Sequence, residues 1–156
     1  MTIAEWCLFA AAILPLITLA PLKAAAGREF DNSNPRNPTF YDRPMRSRLF
    51  GAHLNGFEVF PFFATAILLA EFRHSPQGWI DGLATAFVLV RAAFVGAYVF
   101  DRPTLRTALW NMGFALNLGI FFCSGFGVSG AVIATSIGLA FALGVALLLA
   151  LVAPRH

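Results

Sequence analysis

Charge is what this sequence has least of. Only 12% of its 156 residues are Asp, Glu, Lys or Arg, against about 25% in a soluble domain. So few charges cannot cover the surface of a 16.9 kDa soluble monomer. Cysteine is scarce as well, and two residues cannot frame a disulfide scaffold. The low hydrophobicity that marks disorder is missing: 58% of the chain is hydrophobic and mean hydropathy is +0.72. Metal-site spacing is absent too. No His pair stands at i, i+4 and neither Cys lies near a His, so no metal is expected. There is no Gly-x-Ser-x-Gly elbow for a hydrolase nucleophile. Basic residues are lacking before the first apolar run, which holds only Glu5. A cleaved signal peptide would begin with positive charge, so this run is expected to stay as a span.

What is present is apolar sequence in lengths that cross a bilayer, about 20 residues each. The runs lie at 2–22, 49–70, 79–100 and onward from 104. After Arg106 no charge appears for 48 residues, or about 72 Å of straight helix. A hydrocarbon core is about 30 Å thick, so this run must turn back. The turn is expected at Ser124-Gly125-Phe126-Gly127-Val128-Ser129-Gly130, whose residues punctuate helices. The reading is a fourth span at 104–123 and a fifth at 131–152. The class is therefore all-α, an integral membrane helical bundle. Long unalternated apolar runs exclude a transmembrane β-barrel.

Basic residues place the loops. Loop one (23–48) carries Lys23, Arg28, Arg36, Arg43, Arg46 and Arg48, and loop three carries Arg102 and Arg106. Loop two has only Arg73. Positive loops stay in the cytoplasm, which predicts an outside N-terminus and cytoplasmic loops one and three, with the tail Pro154-Arg155-His156 on that side too. The net charge of +3 then reports topology. A nucleic-acid footprint would need clustering on a soluble face. No internal repeat of the transporter kind is present.

The residues a bilayer should reject are the informative ones. A charge at its centre costs at least about 2.5–3.5 kcal/mol. Glu58 and Arg91 lie mid-span on antiparallel neighbours, so they are expected to face the interior and interact, as an ion pair that sets register or as ligand contacts. Asn55 and Glu58 are i, i+3, on one helix face, and Arg91 and Tyr98 are i, i+7. Arg106 opens span four at the same end. Asn55, Glu58, Arg91, Tyr98 and Arg106 can thus converge on one cavity open to the cytoplasm. Two cations, a carboxylate, an amide and a phenol suit a small zwitterionic or anionic ligand bearing carboxylates. His53 reads better as a helix-interface residue than as a catalytic one. Cys7 and Cys123 would both lie near the outer ends of their spans. A disulfide is conceivable there, although buried inert thiols are the usual state.

The segment Ala52-His53, Asn55, Glu58 and Phe60-Pro61-Phe62 resembles the span-two signature of the MAPEG family, the membrane-associated proteins in eicosanoid and glutathione metabolism. Arg91, Tyr98, Pro103 and Arg106 resemble its second signature, and Asp31-x-x-Asn-Pro-Arg36 looks like the loop of bacterial members. The resemblance covers about 1–125 and leaves 126–156 as an added helix and tail. It implies a left-handed four-helix bundle per chain, a homotrimer, and glutathione held between subunits near the cytoplasmic face of a bacterial inner membrane. By resemblance, Asn55, Glu58, Arg91, Tyr98 and His53 would bind glutathione as co-substrate, and Arg106 would stabilise its thiolate. The implied function is a transferase or peroxidase acting on lipophilic electrophiles or hydroperoxides. Two other readings stand beside it: a non-catalytic lipid- or partner-binding protein, and a transporter. In the added helix, Ala134, Gly138, Ala142, Ala146 and Ala150 recur every four residues, a stripe that allows close helix approach. It would dock on the bundle, or line the lipid-facing way in for a substrate.

Overall fold

A computed structural model of the protein describes residues 1–152, with side chains through 147. The expected cytoplasmic tail at 154–156 and the Ala150 side chain lie outside the described residues. The elements are α1 (Ile3–Ala26), a short turn of 3-10 helix (Gly27–Glu29), α2 (Pro38–Tyr41), α3 (Pro44–Phe72), α4 (Gln77–Val99) and α5 (Pro103–Val152). Among the described residues there is no strand. Four of these helices are long and apolar enough to cross a bilayer. The protein is an integral, multi-pass, all-α membrane bundle.

Helix starts are written locally. Thr2 caps α1 through a box in which Glu5 N donates to Thr2 Oγ1 at 3.1 Å and Thr2 N donates to Glu5 Oε2 at 2.7 Å. Proline occupies the first position of α2, α3 and α5, where its missing N–H leaves no bond unmade. Pro44 lets α3 begin five residues before its apolar run, because helix continues into the polar zone where hydropathy no longer reports it.

The core is a seam of small and aromatic residues. Phe63 and Phe87 stack with ring centroids 4.1 Å apart, and Ile67, Ile80, Ile120, Ala4, Ala66, Ala70 and Ala84 close around them. Lipid supplies no hydrophobic drive between helices, so close packing must hold the bundle. At the end away from loop one a polar latch joins three helices. Thr2 Oγ1 donates to Glu71 Oε1 at 2.9 Å, and Gln77 Nε2 donates to Glu71 Oε1 at 3.0 Å and Asp81 Oδ1 at 2.9 Å. Asp81 also accepts from Ala4 N at 2.8 Å, capping α1 from α4.

Loop one is folded. Phe40 and Tyr41 pack on Leu19 beside Phe30, Leu49 and Phe50. Tyr41 stacks on Phe50 at 4.1 Å, and its hydroxyl donates to the Pro35 carbonyl at 3.0 Å. Much of its positive charge is spent inside the chain. Arg46 and Arg43 pair with Glu29, and Arg48 pairs with Asp101 at 3.0 Å.

Gly127 breaks α5. Its φ of 65° and ψ of −155° fall where only glycine is at ease. The arms 103–126 and 128–152 return antiparallel, because a Cβ on Gly119 would strike Thr135 and one on Gly138 would lie 2.4 Å from Ala115 Cβ. Of the small-residue stripe, Gly138 lies in this contact and Ala142 is buried. Gly127→Ala is expected to cost about 1–3 kcal/mol of strain. It should lower Tm by about 2–4 °C per kcal/mol, read by thermal unfolding in detergent.

Candidate functional site

The site is built where α3, α4 and α5 meet at mid-span. Asn55 and Glu58 sit one turn apart on α3. Asn55 Nδ2 donates to Glu58 Oε2 at 3.2 Å. Arg91 comes across from α4, and its Nη2 donates to Asn55 Oδ1 at 2.9 Å. Asn55 is therefore a relay. It accepts from the cation and donates to the anion, and Glu58 and Arg91 share no direct ion pair. Arg91 is 4% exposed and its guanidinium lies 4.1 Å from the Phe94 ring centroid. A guanidinium has five N–H donors, so several remain for a ligand. Glu58, by contrast, stands exposed on the surface of the single chain.

These residues line a cavity of about 250 Å3, closed on the α5 side by Trp110, Gly113, Phe114 and Asn117. Gly113 faces Arg91 across this wall, where a Cβ would make ordinary contact with Arg91 Cδ at 3.8 Å. The cavity adjoins an apolar groove of about 460 Å3 between α3 and α5, with Phe62, Phe114 and Asn117 common to both. Sequence reasoning missed Asn117. A signal existed, since Arg106, Trp110, Gly113 and Asn117 follow a 4-3-4 spacing that keeps one helix face.

Tyr98 and Arg106 stand nearer the loop-one end. The Arg106 guanidinium lies 4.7 Å from the Tyr98 ring centroid. Gly51 makes room for that ring, because a Cβ on it would be 3.2 Å from Tyr98 Cε1. The Arg48–Asp101 bridge pins the α4–α5 turn beside this pair. Neither Tyr98 nor Arg106 lines the 250 Å3 cavity. From Arg106 to Gly113, the level of Arg91, is about 10 Å at 1.5 Å per residue. Arg91 and Arg106 therefore stand at levels about 10 Å apart along the bundle.

His53 points elsewhere. Its Nδ1–H donates to the Pro15 carbonyl of α1 at 2.7 Å. It stacks on Phe50 and meets Phe57 edge-on, beside the tight contact in which a Cβ on Gly56 would meet Pro15 Cγ at 2.6 Å. This is the interface role. His53→Ala is expected to cost about 1 kcal/mol of stability and to leave ligand affinity within about twofold, measured by thermal unfolding and equilibrium binding on the same sample.

Both cysteines are free thiols. Among the described residues no cluster of His, Cys, Asp and Glu could hold a metal ion. The arrangement sets a buried cation, an amide and a carboxylate beside an apolar groove. In comparison with known proteins, the sequence model of the MAPEG family matches residues 3–126. No curated protein and no solved structure matches the chain.

Proposed function

We propose, for a chain that belongs to the MAPEG family, the function of a glutathione-dependent transferase or peroxidase acting on lipophilic substrates. The observation that carries it is Arg91, a 4% exposed cation at mid-span, tied through Asn55 to a carboxylate and bordering a cavity. A bilayer-buried guanidinium is costly and is kept where an anion needs it. Glutathione is a tripeptide with two carboxylates, one ammonium and one thiol. Three extended residues span at most about 11 Å, so the molecule could lie along the roughly 10 Å between the Arg91 and Arg106 levels with its central thiol between them. Arg91 would hold a carboxylate, Glu58 the ammonium, and Asn55 either neighbour. Tyr98 and Arg106 would reach the thiol of the central residue from the loop-one end.

The chemistry follows from that placement. A free thiol has a pKa near 8.5, and a guanidinium beside the sulfur lowers it. Arg106 would hold the thiolate, and the released proton passes to water. In transfer, the sulfur forms a bond to the electrophilic carbon as the leaving group departs with its electron pair. With a hydroperoxide, the sulfur takes the terminal oxygen as the O–O bond breaks and an alcohol forms. A second glutathione then converts the sulfenic acid to disulfide and water.

The exposed carboxylate of Glu58 supports the expected homotrimer, because a neighbouring subunit would shield it from hydrocarbon. Loops one and three would face the cytoplasm, where glutathione is plentiful, and a bacterial inner membrane fits. The test is thiolate ultraviolet absorbance during a glutathione titration at neutral pH. A saturable thiolate band supports the enzyme. Saturable binding without the band favours a non-catalytic binding protein.

A further inference from the structure

The turn from α4 to α5 places an aspartate where glycine would cost least. α4 ends in a Schellman arrangement, in which Arg102 N donates to the Ala97 carbonyl at 2.9 Å and Asp101 N to the Tyr98 carbonyl at 3.3 Å. Asp101, just past the helix end, has a φ of 54°. Glycine reaches that left-handed conformation without steric cost and is the usual residue there. What the aspartate adds is a carboxylate: Arg48 Nη1 of α3 donates to Asp101 Oδ2 at 3.0 Å. The Asp101 side chain is 68% exposed, and an ion pair so open to solvent adds little stability. Stability therefore explains neither the strained backbone nor the bridge.

Geometry explains both. Arg48, Gly51, Asn55 and Glu58 follow a 3-4-3 spacing along one face of α3. Gly51 receives the Tyr98 ring, where a Cβ would stand 3.2 Å from Cε1. Arg48–Asp101 and Gly51–Tyr98 are thus two ties, one helical turn apart, between α3 and the end of α4. Arg106 depends on both. Its guanidinium lies 4.7 Å from the Tyr98 ring centroid, and its backbone N donates at 2.9 Å to the carbonyl of Arg102, the residue after Asp101. Among the described residues Arg106 pairs with no carboxylate. On α3, Arg46 is paired with Glu29 and His53 is bonded to the Pro15 carbonyl, so the groups that bear on Arg106 are Arg48, Tyr98, Asp101 and Arg102.

We propose that Arg48 and Asp101 are positioning residues for Arg106: their bridge holds the α4–α5 turn so that the Arg106 guanidinium stands where the thiol ionises. This rests on the glutathione reading, in which Arg106 stabilises the thiolate. Neither residue touches the ligand in this role. A charge-stabilising donor acts most strongly when it is preorganised. A loosened turn keeps Arg106 in the chain but weakens its hold on the sulfur.

The test is the pH midpoint of the thiolate absorbance of glutathione bound to the full-length protein in detergent. Wild type is compared with Arg48→Gln, Asp101→Asn, Asp101→Gly and the double variant Arg48→Gln/Asp101→Asn. Each variant should raise the midpoint by about one pH unit, a tenfold change in the ionisation constant. The double variant should match the singles, because both cut one link. Asp101→Gly should keep or raise Tm, since glycine relieves the left-handed backbone, so loss of folding does not account for its shift. Direct action of the two charges predicts a different pattern: loss of the Asp101 anion would lower the midpoint and loss of the Arg48 cation would raise it. Opposite shifts overturn the proposal, and so does a midpoint unmoved in either single variant or a double variant shifted by the sum of the two. An affinity for glutathione about tenfold weaker in Arg48→Gln would make Arg48 a ligand contact and overturn it too. A wild type without a thiolate band defeats the glutathione reading, and the proposal falls with it. A wild-type band that the variants leave in place defeats the positioning role alone.

Discussion

Arg106→Ala is expected to abolish the glutathione thiolate band at neutral pH and to lower turnover on the order of a hundredfold or more, the cost of removing one preorganised charge-stabilising donor. The helical fold should survive. Arg106 is half-buried and its contact with Tyr98 is a stacking one, worth about 0.5–1 kcal/mol near a surface. The pH profile separates an electrostatic role from a structural one. In wild type the thiol should already be ionised at neutral pH. In the variant the rate should climb with pH toward the ordinary thiol pKa near 8.5. Arg106→Lys keeps the charge without the flat fork and should fall between the two. Equal turnover and equal pH profiles in wild type and Arg106→Ala would remove Arg106 from the chemistry.

Arg91→Met carries the second large effect. It deletes the cation whose Nη2 holds Asn55 at 2.9 Å and leaves Glu58 with only the Asn55 amide. Truncating one partner of a buried, hydrogen-bonded charged group costs about 2–5 kcal/mol, so glutathione affinity should drop at least about thirtyfold at 1.4 kcal/mol per decade. The bundle should loosen as well, since α3 and α4 lose their only polar tie at that depth among the described residues. Arg91→Lys should not restore binding. An ammonium is a point charge and cannot bond Asn55 and a carboxylate in one plane. Turnover should fall through KM, whereas Arg106→Ala should act on kcat. That split distinguishes a binding cation from a thiolate-stabilising one.

The spans were legible because length and apolarity decide them, and a 48-residue uncharged run has no other solution than to turn. The turn itself was visible as a glycine cluster. Its placement at Gly127 was not, because only backbone angles tell Gly125, Gly127 and Gly130 apart. The site was partly legible for a related reason: the bilayer makes Glu58 and Arg91 conspicuous. Their relationship was not. A direct ion pair is the simplest expectation, yet the relay through Asn55 satisfies more donors and acceptors with the same residues. Asn117 escaped notice because an amide in an apolar run is a weak signal until its burial and lack of partners are known. The arginines of loop one reported topology from the sequence, but their contact with Glu29 and Asp101, which pairs Arg43, Arg46 and Arg48, follows from no spacing rule.

The central claim is that Asn55, Glu58 and Arg91 form a binding site for glutathione, and calorimetric titration of the detergent-purified protein with glutathione tests it most directly. Saturable heat at millimolar or lower concentration, lost in Arg91→Met and kept in His53→Ala, is the predicted result. No saturable heat at 10 mM glutathione from folded wild-type protein, or binding that Arg91→Met leaves untouched, would contradict it.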